Sequence, residues 1–140
     1  MRRILVGVDG SEPSLRATRL AAELASKTGA KLTLAYVILL PFYPPEAMYV
    51  PSVELDKAEQ KLADEVLQRA SDSVRGLVPE VGTLKLQGNV AESLVDAAQA
   101  EDIDMVVVGS RGRNAVTRVL LGSVADRVVH ICKKPVLVVR

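Results

Sequence analysis

Three short runs of consecutive apolar, mainly β-branched residues constrain the fold of this chain more than any other feature. They occupy residues 4–8, residues 105–108 and Val136–Val139. A strand with one solvated face alternates apolar and polar side chains, so an unbroken apolar run indicates a strand that is buried on both faces. We therefore expect a parallel sheet with helices packed on both of its sides.

Helix signals separate these runs. Ser11 is placed to cap a first helix, which carries Pro13 in its first turn. Apolar residues at helical spacing over residues 55–74 predict a long second helix. A third helix is expected after a glycine turn, where Asn89 and Glu92 resemble a capping box.

Further patterns complete an alternation of strands and helices. Residues 32–37 and 81–86 are predicted strands, and residues 124–132 suit a fourth helix that Lys133-Lys134-Pro135 ends. Four prolines between residues 41 and 51 predict a long surface loop. Five strands alternating with four helices predict the α/β class, with an open five-stranded parallel sheet and helices on both faces.

Length and charge limit what the chain can be. Its 140 residues suit a single domain, 1–140, and 18 Lys and Arg against 17 Asp and Glu leave a net charge of +1. That balance offers no overall field for nucleic acid or an anionic membrane. Cys132 is the single cysteine, which excludes an internal disulfide and fits a reducing compartment. Because the first apolar run is too short for a signal peptide or a membrane span, we expect a cytoplasmic location.

The turn after the fourth predicted strand is the leading candidate for a binding site. Ligands of open α/β sheets lie beyond the carboxyl ends of the strands, and here Val108 is followed by Gly109-Ser110-Arg111-Gly112. Glycines let the backbone approach a ligand, and the intervening amides can bind oxyanions. Gly122-Ser123 opens the next helix, whose unpaired amides favour phosphate. Residues 109–123 contain no Asp or Glu, so we predict bound polyphosphate, with a solvated basic loop as the alternative.

Asp9 and Val37 end the first two predicted strands. The Asp9 carboxylate is able to accept hydrogen bonds from ribose hydroxyls or an adenine amino group. It suits a turn residue or a helix cap equally well. Val37 can offer its backbone to a purine, or its side chain can belong simply to the core. From the residues alone, both alternatives stay open for each position.

Together these segments resemble the universal stress protein family over essentially the whole chain. Its ATP-binding members have Gly, two residues, Gly, nine residues and then Gly-Ser or Gly-Thr, which Gly109, Gly112 and Gly122-Ser123 reproduce. Residues 4–11 resemble the opening strand and acidic turn of the family, and residues 134–139 resemble its closing strand. The resemblance implies a Rossmann-like sheet of the adenine nucleotide alpha-hydrolase type, with strand order 3-2-1-4-5.

The resemblance also implies an ATP site. Adenine is expected near Val8, Asp9 and the Val37 backbone, ribose near Asp9 and Gly109, and the phosphates, with Mg²⁺ held by them, at the later positions. The residues implied to hold the nucleotide are Val8, Asp9, Val37, Val108, Gly109, Arg111, Gly112, Gly122, Ser123 and Val124.

A homodimer joined through the last strand, Val136–Val139, is implied by the same resemblance. An apolar strand at a sheet edge exposes unpaired backbone groups, which a second copy would pair. The alternative is an edge that the chain's own helices cover.

The expected role is that of a nucleotide-binding stress-response regulator, because the sequence shows no nucleophile beside a base, no metal-spaced acids and no P-loop motif. No catalytic residue is assigned. The enzymatic alternative to a binding role is slow ATP hydrolysis. A phosphoacceptor receiver domain is a second hypothesis, because Asp9 follows the first strand and Lys134-Pro135 lies near the fifth. However, a receiver needs an acid at the end of strand three, where this chain has Leu86-Gln87-Gly88.

Overall fold

The computed structural model describes residues 1–39, 53–111 and 121–140. The proline-rich segment at 41–51 and Gly112 lie outside these residues. Strands and helices alternate along the chain as β1 Arg3–Gly7, α1 Glu12–Thr28, β2 Lys31–Ile38, α2 Val53–Ser73, β3 Val81–Gln87, α3 Val90–Ala100, β4 Met105–Gly109, α4 Ser123–Ile131 and β5 Val136–Val139. No helix in the described ranges is long and apolar enough to cross a membrane.

All five strands form one parallel sheet in the order β3-β2-β1-β4-β5. The central strand β1 pairs on both sides, so that Val6 lies opposite Leu34 of β2 and Val107 of β4. This confirms the predicted sheet and its strand order. The strands β3 and β5 form the two edges.

The unbroken apolar runs arise because the sheet is covered twice. Ile4 and Val6 are fully buried in a cluster with α1 and α2, whereas Leu5 is fully buried among side chains of α3 and α4. Each such aliphatic side chain stabilises the fold by roughly 1.5–3 kcal/mol relative to exposure in water. A polar residue at any of these positions would therefore remove part of one of the two cores.

The helix starts differ in how they are capped. Ser11 caps α1 as predicted, because its hydroxyl accepts the Ser14 N–H at 3.3 Å. Asn89 occupies the cap position of α3, but its side chain makes no capping hydrogen bond. The predicted capping box is therefore wrong, and the reason lies in tertiary structure: Glu92 pairs instead with Arg127 of α4.

The amino-terminal ends of β1 and β4 are joined by one carboxylate. Oδ2 of Asp104 accepts the backbone N–H groups of Arg2 at 2.6 Å and Arg3 at 2.9 Å. These two hydrogen bonds hold the pKa of Asp104 below its ordinary value of 3.8. Asp104 thus anchors the first residues of the chain to the start of the neighbouring strand.

We expect Asp104→Asn to lower the free energy of unfolding in a pH-dependent way. A lowered native pKa means that the carboxylate contributes stability above its unfolded-state pKa and loses it as the pH falls through the native value. The difference between wild type and variant should be largest near pH 7 and shrink below about pH 4. Urea unfolding at both pH values measures it, with Asp96→Asn on the exposed side of α3 as the matched control. A pH-independent difference would contradict this assignment.

Candidate functional site

A cavity of about 910 Å³ opens at the carboxyl ends of the strands. It lies at the point where the strand order reverses. From β1 the chain adds β2 and β3 on one side of the sheet, whereas β4 and β5 lie on the other side. The ends of β1, β2 and β4 form its floor, and the starts of α3 and α4 form part of its wall. This is the position at which an open α/β sheet exposes backbone groups to a ligand.

Every sequence-predicted site residue within the described ranges lines this cavity. The structure brings together Val8, Asp9, Val37, Val108, Gly109, Arg111, Gly122, Ser123 and Val124. Gly112, the remaining predicted residue, lies outside the described residues. Segments more than a hundred positions apart in the chain thus meet at one opening.

Asp9 takes part in local capping and also faces the cavity. Its Oδ1 accepts the Ser11 N–H at 2.9 Å, as expected for a turn residue. Its own N–H donates to Ser14 Oγ at 3.2 Å. Among the described residues nothing hydrogen-bonds to the second carboxylate oxygen. Asp9 can therefore act as a turn residue through Oδ1 and still face a ligand in the cavity through Oδ2.

Ser14 was not among the residues predicted from sequence. It is only 3% exposed, yet it lies in the cavity wall and its hydroxyl accepts the backbone N–H of Asp9. A serine in the first turn of a helix is common, so the sequence pattern gives no sign that Ser14 contacts Asp9. Ser14 therefore holds the backbone at the end of β1.

Gly109 is required for packing at the end of β4. A Cβ at this position would lie 2.9 Å from the Pro13 carbonyl carbon and 3.0 Å from the Ser14 nitrogen. Both are backbone atoms at the start of α1, which cannot move aside as a flexible side chain can. The glycine thus lets α1 begin directly against β4.

The start of α4 offers backbone amides that can bind an anion. Gly122 occupies the cap position without a side-chain cap, and its N–H donates to the Ser110 carbonyl at 2.6 Å. That bond joins Ser110 to the start of α4. It also occupies the Gly122 amide, which the sequence predicts to be available for phosphate. The helix-start amides that remain are those of Ser123, Val124 and Ala125. The sequence pattern missed Ala125, although counting the amides of the first turn identifies it.

Glu92 and Arg127 form an ion pair at the wall of the cavity. Arg127 Nε donates to Glu92 Oε1 at 3.0 Å and so joins α4 to α3. The hydrogen bond from Arg127, followed by one from the Glu92 backbone N–H, holds the pKa of Glu92 below its ordinary value. No sequence pattern indicates this pair, because the two residues lie 35 positions apart and only the packing of α3 on α4 brings them together.

The cavity does not contain a ready-made metal centre in the part of the chain that the structure describes. No group of three His, Cys, Asp or Glu side chains lies together there. A smaller hollow of about 640 Å³ occurs between α2 and β3, lined by residues such as Arg75 and Leu77. It lies near the amino-terminal end of β3, away from the start of α4.

We expect Gly109→Ala to lower the free energy of unfolding by about 1–3 kcal/mol, because the added methyl group meets backbone at van der Waals overlap. Gly82→Ala is a matched control in another strand, since its nearest neighbour would lie at 3.5 Å, an ordinary contact. That control should be close to neutral or slightly stabilising. Chemical denaturation of both variants decides the matter, and equal stabilities would show that Gly109 is not needed for packing.

Comparisons with known proteins agree with this architecture. A universal stress protein from Thermus aquaticus is 34% identical over 140 residues, covering 99% of this chain and 98% of that protein. A universal stress protein from Methanocaldococcus jannaschii is 32% identical over 142 residues, covering 99% of this chain and 82% of the relative.

Solved structures are similar over the same length. A crystal structure of a universal stress protein in complex with cAMP superposes with a TM-score of 0.72 at 27% identity, covering 99% of this chain and 96% of the other. A universal stress protein from Archaeoglobus fulgidus in complex with dAMP gives a TM-score of 0.70 at 26% identity, covering 100% and 98%. The model of the Universal stress protein family matches residues 1–140. This chain therefore belongs to the universal stress protein family.

Proposed function

We propose that this chain binds an adenine nucleotide, ATP foremost, in the cavity between β1 and β4 and acts as a nucleotide-holding regulator. The observation that carries the proposal is the uncapped start of α4, whose Ser123, Val124 and Ala125 amides border the same cavity as the Asp9 carboxylate. Unpaired helix-start amides attract phosphate, and a carboxylate suits ribose or adenine donors. Relatives of similar fold whose structures contain cAMP and dAMP support this pairing of groups.

Each part of the nucleotide has matching chemistry in the cavity wall. The apolar Val8 and Val37 are suited to the adenine ring, and the Val37 backbone to its polar edge. Asp9 and Gly109 lie where ribose would bridge β1 and β4. Val108 and Arg111 continue the wall toward the phosphates, and Gly112 joins the set by its place in the glycine spacing.

The phosphates would be held by hydrogen bonds from the backbone. Ser123 offers both an N–H and a hydroxyl at the first position of α4, and Val124 offers the next N–H. The partial positive charge of a helix start adds to these bonds. Mg²⁺ would be bound through the phosphate oxygens, because no three-ligand cluster occurs among the described residues.

Binding without efficient turnover fits the side chains present. His130, the single histidine of the chain, is hydrogen-bonded through Nδ1 to the Asp126 carbonyl on α4 and does not line the cavity. Asp9 is engaged by Ser11 through one oxygen. We therefore propose a single-domain, cytoplasmic regulator that holds ATP. Its enzymatic activity would be at most slow ATP hydrolysis.

The geometry disfavours the receiver-domain alternative. Lys134 precedes β5 and thus lies at the amino-terminal ends of the strands, whereas Asp9 lies at their carboxyl ends. Strand β3 ends at Gln87, which supplies no phosphoacceptor carboxylate. A lysine and an acid on opposite ends of the sheet cannot act on the same phosphoryl group.

We also propose that two copies associate through β5. This strand is an edge of the sheet, and its four apolar residues are each only partly buried in the single chain. The Pro135 carbonyl accepts the N–H of Val106 in β4, and the Val139 carbonyl accepts the N–H of Ser110 just after β4. Alternation therefore directs the backbone groups of Val136 and Val138 outward. An apolar edge with outward N–H and C=O groups is suited to pairing with its own copy.

Replacing Ser123 tests the phosphate site. Ser123→Pro removes both the amide and the hydroxyl donor while preserving the helix, because proline is tolerated in the first turn and Gly122 already has the extended ψ of 158° that precedes proline well. We expect ATP affinity to fall about 10- to 1000-fold, because the amide bond to a charged group accounts for about 10- to 100-fold and the hydroxyl for up to about tenfold more. Isothermal titration calorimetry gives the dissociation constants.

Ser123→Ala is the matched control, because it removes the hydroxyl alone and should cost about tenfold at most. The amide contribution is the difference between the two variants. If Ser123→Pro bound ATP as tightly as wild type, the phosphates would have to lie elsewhere. If wild type bound no adenine nucleotide, the proposed function would be wrong.

The dimer is tested by Val138→Pro, which removes an outward N–H of β5 without taking a donor from the bonds to β4. We expect the dimer to dissociate at concentrations where wild type remains paired, as measured by size-exclusion chromatography with light scattering. Val138→Ile keeps the N–H and should remain dimeric. A monomeric wild type, or a dimer that the proline leaves intact, would contradict association through β5.

A further inference from the structure

The Arg127–Glu92 ion pair contributes little to the stability of the fold. Both side chains are partly open to solvent, with 57% of Arg127 and 43% of Glu92 exposed. Exposed pairs of this kind are weak because water and salt screen them. Nevertheless the pair lies in the wall of the nucleotide cavity rather than on an outer surface, which calls for another role.

Arg127 uses only one of its five N–H donors in this pair. The contact to Glu92 is made through Nε, and no residue in the described ranges accepts a hydrogen bond from Nη1 or Nη2. A guanidinium held by its Nε presents the two terminal nitrogens as a rigid fork. That fork matches the oxygen spacing of a phosphate group.

The position of Arg127 on α4 aligns it with the proposed phosphate site. Arg127 follows Ser123 by one helical turn, so the two residues lie on the same side of the helix. Both line the cavity. A phosphate chain that begins at the amides of the first turn therefore has this guanidinium within reach as it extends.

The charges around the cavity make the role of Arg127 more specific. Among the described lining residues, the negatively charged ones are Asp9, Glu59, Glu92 and Asp126, and the positively charged ones are Arg111 and Arg127. Each phosphate added to a nucleotide brings further negative charge toward these four carboxylates, and Arg127 is one of the two arginines among the described lining residues that offset it.

We propose that Arg127, oriented by Glu92, is the residue by which this site favours nucleoside di- and triphosphates over monophosphates. The inference rests on the proposed function, since it concerns the same cavity. Arg127 makes a forked contact with the outer phosphates, and Glu92 is a positioning residue that holds the Nε. The lowered pKa of Glu92 is consistent with a carboxylate that stays ionised in this pair.

The test compares AMP, ADP and ATP affinities by calorimetry in the absence of Mg²⁺. For Arg127→Gln we expect ATP affinity to fall about 10- to 100-fold, with AMP affinity changing by less than about threefold. Arg127→Lys should recover only part of the ATP affinity, because a point charge does not replace the fork. Arg75→Gln is the matched control: it removes an arginine that is paired with Asp72, outside the nucleotide cavity, and should leave the ATP-to-AMP ratio unchanged.

Glu92→Gln supplies a second, independent measurement. The amide oxygen can still accept from Nε, while the negative charge near the phosphates is removed, so the preference for ATP over AMP should stay or increase. A decrease in that preference would overturn the inference. So would an equal loss of AMP and ATP affinity in Arg127→Gln, which would leave the proposed function standing. If wild type binds none of the three nucleotides, the proposed function fails, and this inference fails with it.

Discussion

Burial of the central strand on both faces is the constraint on which the rest of this structure depends. The backbone of β1 pairs with β2 and β4, and its side chains alternate between two apolar layers, so helices must cover both sides of the sheet. The chain meets this requirement with α1 and α2 on one face and α3 and α4 on the other. Covering opposite faces from neighbouring strands forces the connections after β1 and β4 to diverge. The cavity is the space that this divergence leaves.

The chemistry of the cavity follows from what lies at the ends of the strands. Helix starts expose amides that no residue within the helix can satisfy, and at α4 the cap residue has no side chain to fill that role. At the same opening Asp9 supplies a carboxylate that accepts the Ser11 N–H, while Ser14 accepts the Asp9 backbone N–H. Close approach of α1 to Gly109 brings these two sets of groups together. A ligand with donors at one end and phosphate at the other fits this arrangement.

Patterns along the chain identified the parts of the site that depend on local backbone chemistry. The glycine spacing and the Gly122-Ser123 helix start were visible because each residue type is required by its own turn or helix end. The places of Ser14, Glu92 and Arg127 at the cavity were not predicted, because they depend on contacts with residues outside their own helices. The capping box failed for the same reason, since a local pattern cannot show that Arg127 engages Glu92. The Gly122 amide likewise donates to the Ser110 carbonyl, a hydrogen bond that no sequence pattern indicates.

The sequence by itself determined the fold class, the alternation of strands and helices, the cap of α1 and membership of a family, because these depend on periodicity and on residue types at short range. Tertiary structure alone decided which groups face one another. Strand pairing brought Asp9 and Gly109 to one edge, and helix packing placed Arg127 against Glu92. The physical reason is that side-chain partnership depends on distance in space. Hydrophobic periodicity states only which face of an element is buried, and leaves open what that face will meet.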